Sequence, residues 1–297
     1  MTAPTGARYT PHLLLTAMIA IWGGSYAVVK TALDGLPPFL VVALRFWLSV
    51  VCLLPFVRAG LVAELRATRR PGLLAGAALA IGYLLQTAGM NETSASMGGF
   101  LAGLIVPLVG LGGFLFFRAR FGALAVTGFL LGLGGMVLLC WPHGGDARPD
   151  TACGIVLQIG SSISYAAHIL LLSRFGRGAP VVAFCLWQLV FVSIAGTLAA
   201  AVAGDLDAGR LAAIDVNATL VGAIAYLGVL ATALGIGVQA KVQHRIPPVH
   251  VALLFALQPL FAALVAWLTI GDRLQTMQLA GGITIFGAVL LTSLDRQ

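Results

Sequence analysis

"LLQTAGMNETSASMGGFLAGLIVPLVGLGGFLFFRARFGALAVTGFLLGLGGMVLL" (residues 84–139) and "VQAKVQHRIPPVHVALLFALQPLFAALVAWLTIGDRLQTMQLAGGITIFGAVLL" (residues 238–291) are two versions of one pattern. Pro107 falls on Pro259, Arg120 on Asp272, and Gly135-Met136-Val137-Leu138-Leu139 on Gly287-Ala288-Val289-Leu290-Leu291; a one-residue gap sets Gln86 on Gln239. Earlier in each half, "GGSYAVV" (23–29) pairs with "SISYAAH" (162–168), which brings Tyr26 onto Tyr165. The chain therefore reads as a duplication, with a first repeat over 1–143 and a second over 144–297.

The duplicated unit is built for lipid. The 297 residues are 60% hydrophobic and 9% charged, with a mean hydropathy of +1.01, where a water-soluble domain carries about 25% charged residues. Apolar runs near the roughly 20 residues that cross a bilayer core of about 30 Å recur along the chain. They place spans at 12–33, 37–57, 71–91, 94–117, 122–141, 152–173, 180–203, 216–240, 248–270 and 274–294. Turn and charge signals separate them, among them Asp34-Gly35-Leu36-Pro37-Pro38, Arg69-Arg70-Pro71 and Gly176-Arg177-Gly178. Backbone groups in hydrocarbon must bond internally, and runs this continuous do so as helices; barrel strands of about 10 alternating residues do not fit. The expected fold is an all-α polytopic membrane protein with ten transmembrane helices in two inverted-topology five-helix repeats. The stretch from Leu13 runs on past Gly24 without a convincing cleavage site, so it is read as the first span and not as a removed signal.

The inversion follows from parity. Five spans are an odd number, so the second copy enters the membrane from the opposite side, and the charges agree. With the N-terminus inside, cytoplasmic segments hold Arg8, Arg58, Arg66, Arg69, Arg70, Arg118, Arg120, Arg174, Arg177, Lys241, Arg245 and Arg296, while the outer side holds Arg148, Arg210 and Arg273. That bias places both termini in the cytoplasm. The net charge of +7 is then topology, and nucleic acid is not needed to explain it. Inverted repeats recur in secondary transporters, with the substrate site near the midplane between the halves.

The motifs resemble the drug/metabolite transporter superfamily, in its ten-helix bacterial branch carrying two EamA domains. The likeness rests on "IWGGSYAVVK" (21–30), "ALRFWLS" (43–49), "GFLAGLIVPLVGLGGFLFF" (99–117) and "VALLFALQPLFAALVAWLTIGDRL" (251–274), whose order and duplication span nearly the whole chain. The resemblance implies a bacterial inner-membrane exporter of small metabolites, similar to the YddG-type exporters of aromatic amino acids. One departure stands out: the acidic residue that follows the second Pro helix is Asp272, while its first-half partner is Arg120.

Polar and aromatic side chains gather at mid-depth in several spans. Candidate substrate-binding residues are Trp22 and Tyr26 in the first, Arg45 in the second, Tyr83 and Gln86 in the third, Tyr165 and His168 in the sixth, Trp187 and Gln188 in the seventh and Gln258 in the ninth. Each alone reads equally as an interhelical hydrogen-bond partner. Together they suggest a wet, partly aromatic cavity suited to an amphiphilic solute such as a bulky amino acid. Arg45 sits about eight residues into its span, and a central intramembrane charge costs at least about 2.5 kcal/mol. It must face protein or water, either bonding carbonyls and neighbouring polar groups or contacting ligand. Lys30 either snorkels outward or faces an outer vestibule.

Candidate hinges are Gly23 and Gly24, which let a neighbouring backbone approach or let the helix flex, and Pro107 and Pro259. Each proline removes a donor and frees a carbonyl four residues earlier, so the pair reads as symmetric bends. The glycine-rich fifth and tenth spans read as peripheral surfaces, for packing or for a homodimer.

No Asp or Glu falls at mid-depth in these spans. Intramembrane carboxylates commonly carry proton coupling; here only His168, with an ordinary pKa near about 6.5, could do so. There is no Walker A loop, and Cys52, Cys140, Cys153 and Cys185 make no metal spacing, although Cys140 and Cys153 share the outer side. No cofactor is expected, and the expected partners are a small solute, the lipid bilayer and a second copy of the chain. The expected function is export of amino acids or related metabolites by alternating access, with a proton-coupled exporter of another metabolite or drug as the alternative. Ser164 and His168, four residues apart, raise a distant one, an intramembrane hydrolase; no orienting acid accompanies them, and the chain is not expected to be an enzyme.

Overall fold

The computed structural model describes residues 5–93, 95–117, 122–139, 151–270 and 276–293. Every element among them is helical: α1 Thr5–Gly35, α2 Pro38–Leu53, α3 Leu61–Glu92, α4 Ala95–Ala102, α5 Ile105–Phe117, α6 Ala123–Leu139, α7 Ala152–Phe175, α8 Val181–Val202, α9 Ala208–Ala212, α10 Ala218–Ala225, α11 Gly235–Val242, α12 Pro248–Phe255, α13 Gln258–Ile270 and α14 Thr276–Ser293. A π-helical segment, Tyr226–Leu234, joins α10 to α11. Six stretches are long and apolar enough to cross a membrane: Thr10–Gly35, Pro38–Phe56, Leu61–Glu92, Ala152–Phe175, Val181–Val202 and Ala218–Arg245. Shorter apolar helices lie at Ile105–Leu115, Val126–Gly135, Leu253–Ala262 and Leu279–Ala288. The chain is an all-α polytopic membrane protein. The loop residues Arg118, Arg120, Arg148, Asp272 and Arg273, and Cys140, lie outside the described residues.

Local chemistry sets the helix ends. Pro38 opens α2, where its missing N–H costs nothing. The Thr151 hydroxyl accepts from Gly154 N at 3.0 Å at the start of α7, and Asn217 Oδ1 accepts from Leu220 N at 3.0 Å at the start of α10. The third span begins at Leu61, ten residues before the expected start at 71. Pro71 lies inside this helix, not at a turn, because the carbonyl it frees belongs to Ala67, which is exposed beside Arg66, Arg69 and Arg70 and can bond water.

Two rods are broken in the middle. Leu104 N donates to Leu101 O and Val106 N to Gly103 O, both at 3.1 Å, between α4 and α5; Ala256 N donates to Leu253 O at 3.1 Å and Leu257 N to Leu254 O at 3.0 Å, between α12 and α13. In both places the ladder tightens to three-residue spacing just ahead of Pro107 or Pro259. The bends expected at these repeat-related positions are full breaks.

Packing keeps the symmetry of the duplication. α3 packs on α7 and on α8, while the rod made of α10, the π segment and α11 packs on α1 and on α2. α4 and α5 pack on α7 as α12 and α13 pack on α1, and the contacts α2 to α8 and α6 to α14 map onto themselves. Exchanging the halves maps these contacts onto one another. α1 approaches α13 so closely at Gly23 that a Cβ there would lie 2.7 Å from Phe261 Cβ and 2.8 Å from Gln258 O. α6 and α14 meet the same way, a Cβ on Gly135 falling 2.8 Å from Gly281 O.

Candidate functional site

Between the halves lies a cavity of about 70 Å³. Its wall takes Trp22, Ser25, Tyr26 and Val29 from α1, Arg45 from α2, Leu79, Tyr83, Gln86 and Met90 from α3, and Ile105 from the start of α5. The second half adds Tyr165, His168 and Ile169 from α7, Ile236 and Gln239 from α11, and Phe255 and Gln258 on either side of the second break. Among its described lining residues there is no Asp or Glu, and Arg45 is the one permanent charge.

The polar wall is bonded into a network. Tyr165 donates to Gln86 Oε1 at 3.0 Å, and Gln86 Nε2 reaches the Tyr26 hydroxyl at 3.4 Å. Tyr83 meets Tyr165 edge to face with centroids 5.4 Å apart, and Phe46 supports Tyr83 from behind at 4.7 Å. Trp22 stacks on Phe255 at 5.6 Å and donates its indole N–H to Ala231 O, in the π segment, at 2.6 Å. Arg45, 4% exposed, donates from Nε to Thr232 Oγ1 at 2.5 Å and from Nη2 to the Tyr83 hydroxyl at 3.1 Å. Thr232 in turn donates to Leu227 O, five residues back, at 2.7 Å, so its hydroxyl closes a π turn and presents a lone pair to the guanidinium. His168 is buried with Nε2 2.8 Å from Gln188 Oε1. Because the Gln188 amide nitrogen donates to Phe184 O at 3.0 Å, its oxygen faces the ring, and the imidazole donates from Nε2.

The structure brings Trp22, Tyr26, Arg45, Tyr83, Gln86, Tyr165, His168 and Gln258 to this one wall. Trp187 and Gln188 stand outside it. Trp187 donates to Leu65 O at 2.9 Å, near the start of α3, with its ring against Gly72, and Gln188 stands behind His168 and orients it. Ser25, Gln239 and Phe255 also line the wall without having been candidates. The repeat alignment carried the signal for Gln239, the counterpart of Gln86, although its amide turns to Gln243 Oε1 at 2.6 Å. The Lys30 ammonium donates to Met90 O and, at 2.6 Å, to Thr93 O, capping the last carbonyls of α3. The Ser164 hydroxyl donates to Ala78 O at 2.7 Å, so the hydroxyl and the His168 ring that suggested a hydrolase have separate partners.

Of the candidate hinges, Gly23 is the contact point with α13, Gly24 faces the Tyr226 hydroxyl, and the two prolines sit beside the breaks that open into the cavity. Aromatic faces, amide groups and one cation, drawn from both halves around two interrupted helices, make a site that can hold an amphiphilic solute in lipid without covalent chemistry.

Comparison with known proteins agrees with this architecture. The model of the EamA-like transporter family matches residues 10–141 and again 152–294. The chain is 25% identical over 287 residues to a transporter of Archaeoglobus fulgidus, covering 97% of this chain and 87% of that one. It is 24% identical to the inner membrane transporter YedA of Escherichia coli K12, covering 94% and 89%. It is 23% identical to a probable amino-acid metabolite efflux pump of Salmonella typhimurium, covering 94% and 93%. A solved crystal structure shares the fold with a TM-score of 0.77 at 18% identity, over 96% of each chain. With both halves matched by one family model, this chain belongs to the EamA-like transporter family and is a membrane transporter.

Proposed function

We propose that this transporter exports small metabolites, amino acids with aromatic or other bulky side chains foremost, by rocking its two repeats, 1–143 and 144–297, around the central cavity. The carrying observation is the cavity wall itself: Trp22, Tyr26, Tyr83, Tyr165 and Phe255 offer ring faces, while Arg45, Gln86, His168 and Gln258 offer hydrogen bonds to a polar head. The relative named as an amino-acid metabolite efflux pump supports the substrate class. The location we propose is a bacterial inner membrane with both termini in the cytoplasm, which the distribution of Lys and Arg supports; the similarity to YedA, named as an inner membrane transporter, supports the choice of membrane.

Uptake into proteoliposomes of labelled amino acids, nucleosides and sugars, with and without an imposed pH gradient, tests this. Uptake of phenylalanine or methionine without the gradient is the expected result, since no carboxylate lines the cavity among the described residues. Uptake only with a gradient would move the mechanism to proton coupling, for which His168 on the wall is the group available. Uptake of nucleosides or sugars alone would overturn the substrate class.

A further inference from the structure

Arg45 lies in the middle of a membrane helix, 4% exposed, and both of its hydrogen-bond acceptors are neutral hydroxyls, Thr232 and Tyr83. The guanidinium lies 4.6 Å over the Tyr83 ring, which holds it in place without neutralising it. Among the described residues the one ion pair joins Arg210 to Asp205, in the α8 to α9 connection away from the cavity. A guanidinium carries five N–H groups, of which two are used, and Nη1 has no acceptor among the described residues. A buried charge left without an opposite charge is costly, and here its free edge belongs to a side chain that lines the cavity.

We propose that Arg45 is the seat for the carboxylate of a solute carrying one such group, with or without an amine, received on the Nη edge of the guanidinium. This rests on the reading of the cavity as the transport site. A carboxylate is planar and presents two oxygens, which matches the fork of a guanidinium better than any single-point acceptor. The charge count favours one negative charge: a phosphate monoester, with about two at neutral pH, would bring one more than the described wall can pair. The same count sets what the solute does not need. With no Asp or Glu in the described wall, a protonated amine would find only phenol and amide oxygens and ring faces. The site therefore requires the carboxylate and is indifferent to the amine, so deaminated relatives of an amino acid are ligands as well.

Three probes on the purified full-length protein separate the groups: L-phenylalanine, 3-phenylpropionate (carboxylate, no amine) and phenethylamine (amine, no carboxylate), with L-lactate as a smaller carboxylate. Binding is read from thermal shift and from competition in proteoliposomes. The two phenyl carboxylates are expected to bind within about threefold of each other, and phenethylamine about tenfold or more weakly than either. Arg45→Gln should weaken both carboxylates by about tenfold or more and leave phenethylamine unchanged, with Arg45→Lys in between. If Arg45→Gln does not fold, the three-way comparison on the unaltered protein decides alone. Phenethylamine binding as tightly as phenylalanine, or carboxylate binding unaffected by Arg45→Gln, overturns the seat while leaving amino-acid export standing. Arg45-dependent binding of lactate without the phenyl compounds keeps the seat and overturns the bulky amino-acid reading; no binding of any carboxylate overturns the seat.

Discussion

Tyr26 and Tyr165 hold equivalent places in the two repeats and meet across one side chain, Gln86, which accepts from Tyr165 at 3.0 Å and reaches Tyr26 at 3.4 Å. The duplication thus converges on a shared amide, and the cavity wall on that side is a single bonded unit. Membrane hydrogen bonds of this kind average about 0.6 kcal/mol, so Tyr165→Phe should barely change thermal stability. Its effect should appear in solute affinity, because Gln86 loses the contact that orients it. Gln86→Ala and Tyr165→Phe break the same link, and the double variant should bind no more weakly than Gln86→Ala alone. Additive losses in a binding titration would show that the two side chains act separately.

Gly23 tests how close the halves must come. A Cβ there meets Phe261 Cβ at 2.7 Å and Gln258 O at 2.8 Å, and the oxygen is backbone, so α1 or α13 must move. Overpacking of this kind typically costs about 1–3 kcal/mol. Gly23→Ala should lower the melting temperature in detergent, whereas Gly222→Ala, with nothing within 4 Å of the added atom, should not. Equal melting temperatures for the two variants would mean that the α1 to α13 contact yields freely.

Much of this was legible in the residues, and what was not has a physical reason. Length, hydropathy and repeat spacing located the rods, because lipid imposes backbone self-satisfaction on every crossing. Pro107 and Pro259 announced the helix breaks, since a lost donor acts locally. Trp187 and Gln188 misled, because depth in a span does not say which way a side chain points: Trp187 serves α3 and Gln188 serves His168. Lys30 read as a snorkelling or vestibule-facing cation, and its carbonyl partners at Met90 and Thr93 were invisible because they lie about sixty residues on in the chain. The π segment left no composition signal at all, since Tyr226–Leu234 differs from an α-helix in register and not in polarity.

Thr232 links that π segment to the cavity cation. Its hydroxyl donates to Leu227 O at 2.7 Å and accepts from Arg45 Nε at 2.5 Å. Thr232→Val keeps the shape and removes both bonds, leaving a charged donor buried without its acceptor, a loss of about 1.5–3 kcal/mol. Thr232→Ser should restore stability, because the hydroxyl returns. Melting temperatures of the three forms check this; a Val variant as stable as the Ser variant would mean that Arg45 finds another acceptor.

Pro107 and Pro259 distinguish a hinge from an inert kink. Each sits just past a break where the ladder tightens to three-residue spacing; Pro107 leaves the Gly103 carbonyl to Val106 N in place of the four-residue donor, and Pro259 denies an N–H to the Phe255 carbonyl. Alanine at either position supplies that donor and lets the helix close. Stability should hold or rise, because an intrahelical bond is gained, while the transport rate should fall if the breaks must flex for the cavity to change sides. The diagnostic result is opposite movement of the two quantities, melting temperature in detergent and initial rate in proteoliposomes, in Pro107→Ala and Pro259→Ala alike. If both variants transport at the original rate, the breaks shape the cavity wall without moving it. If only one slows, the repeats share their architecture but not the work of switching, as the π segment in the second half and its absence from the α-helical α3 already suggest.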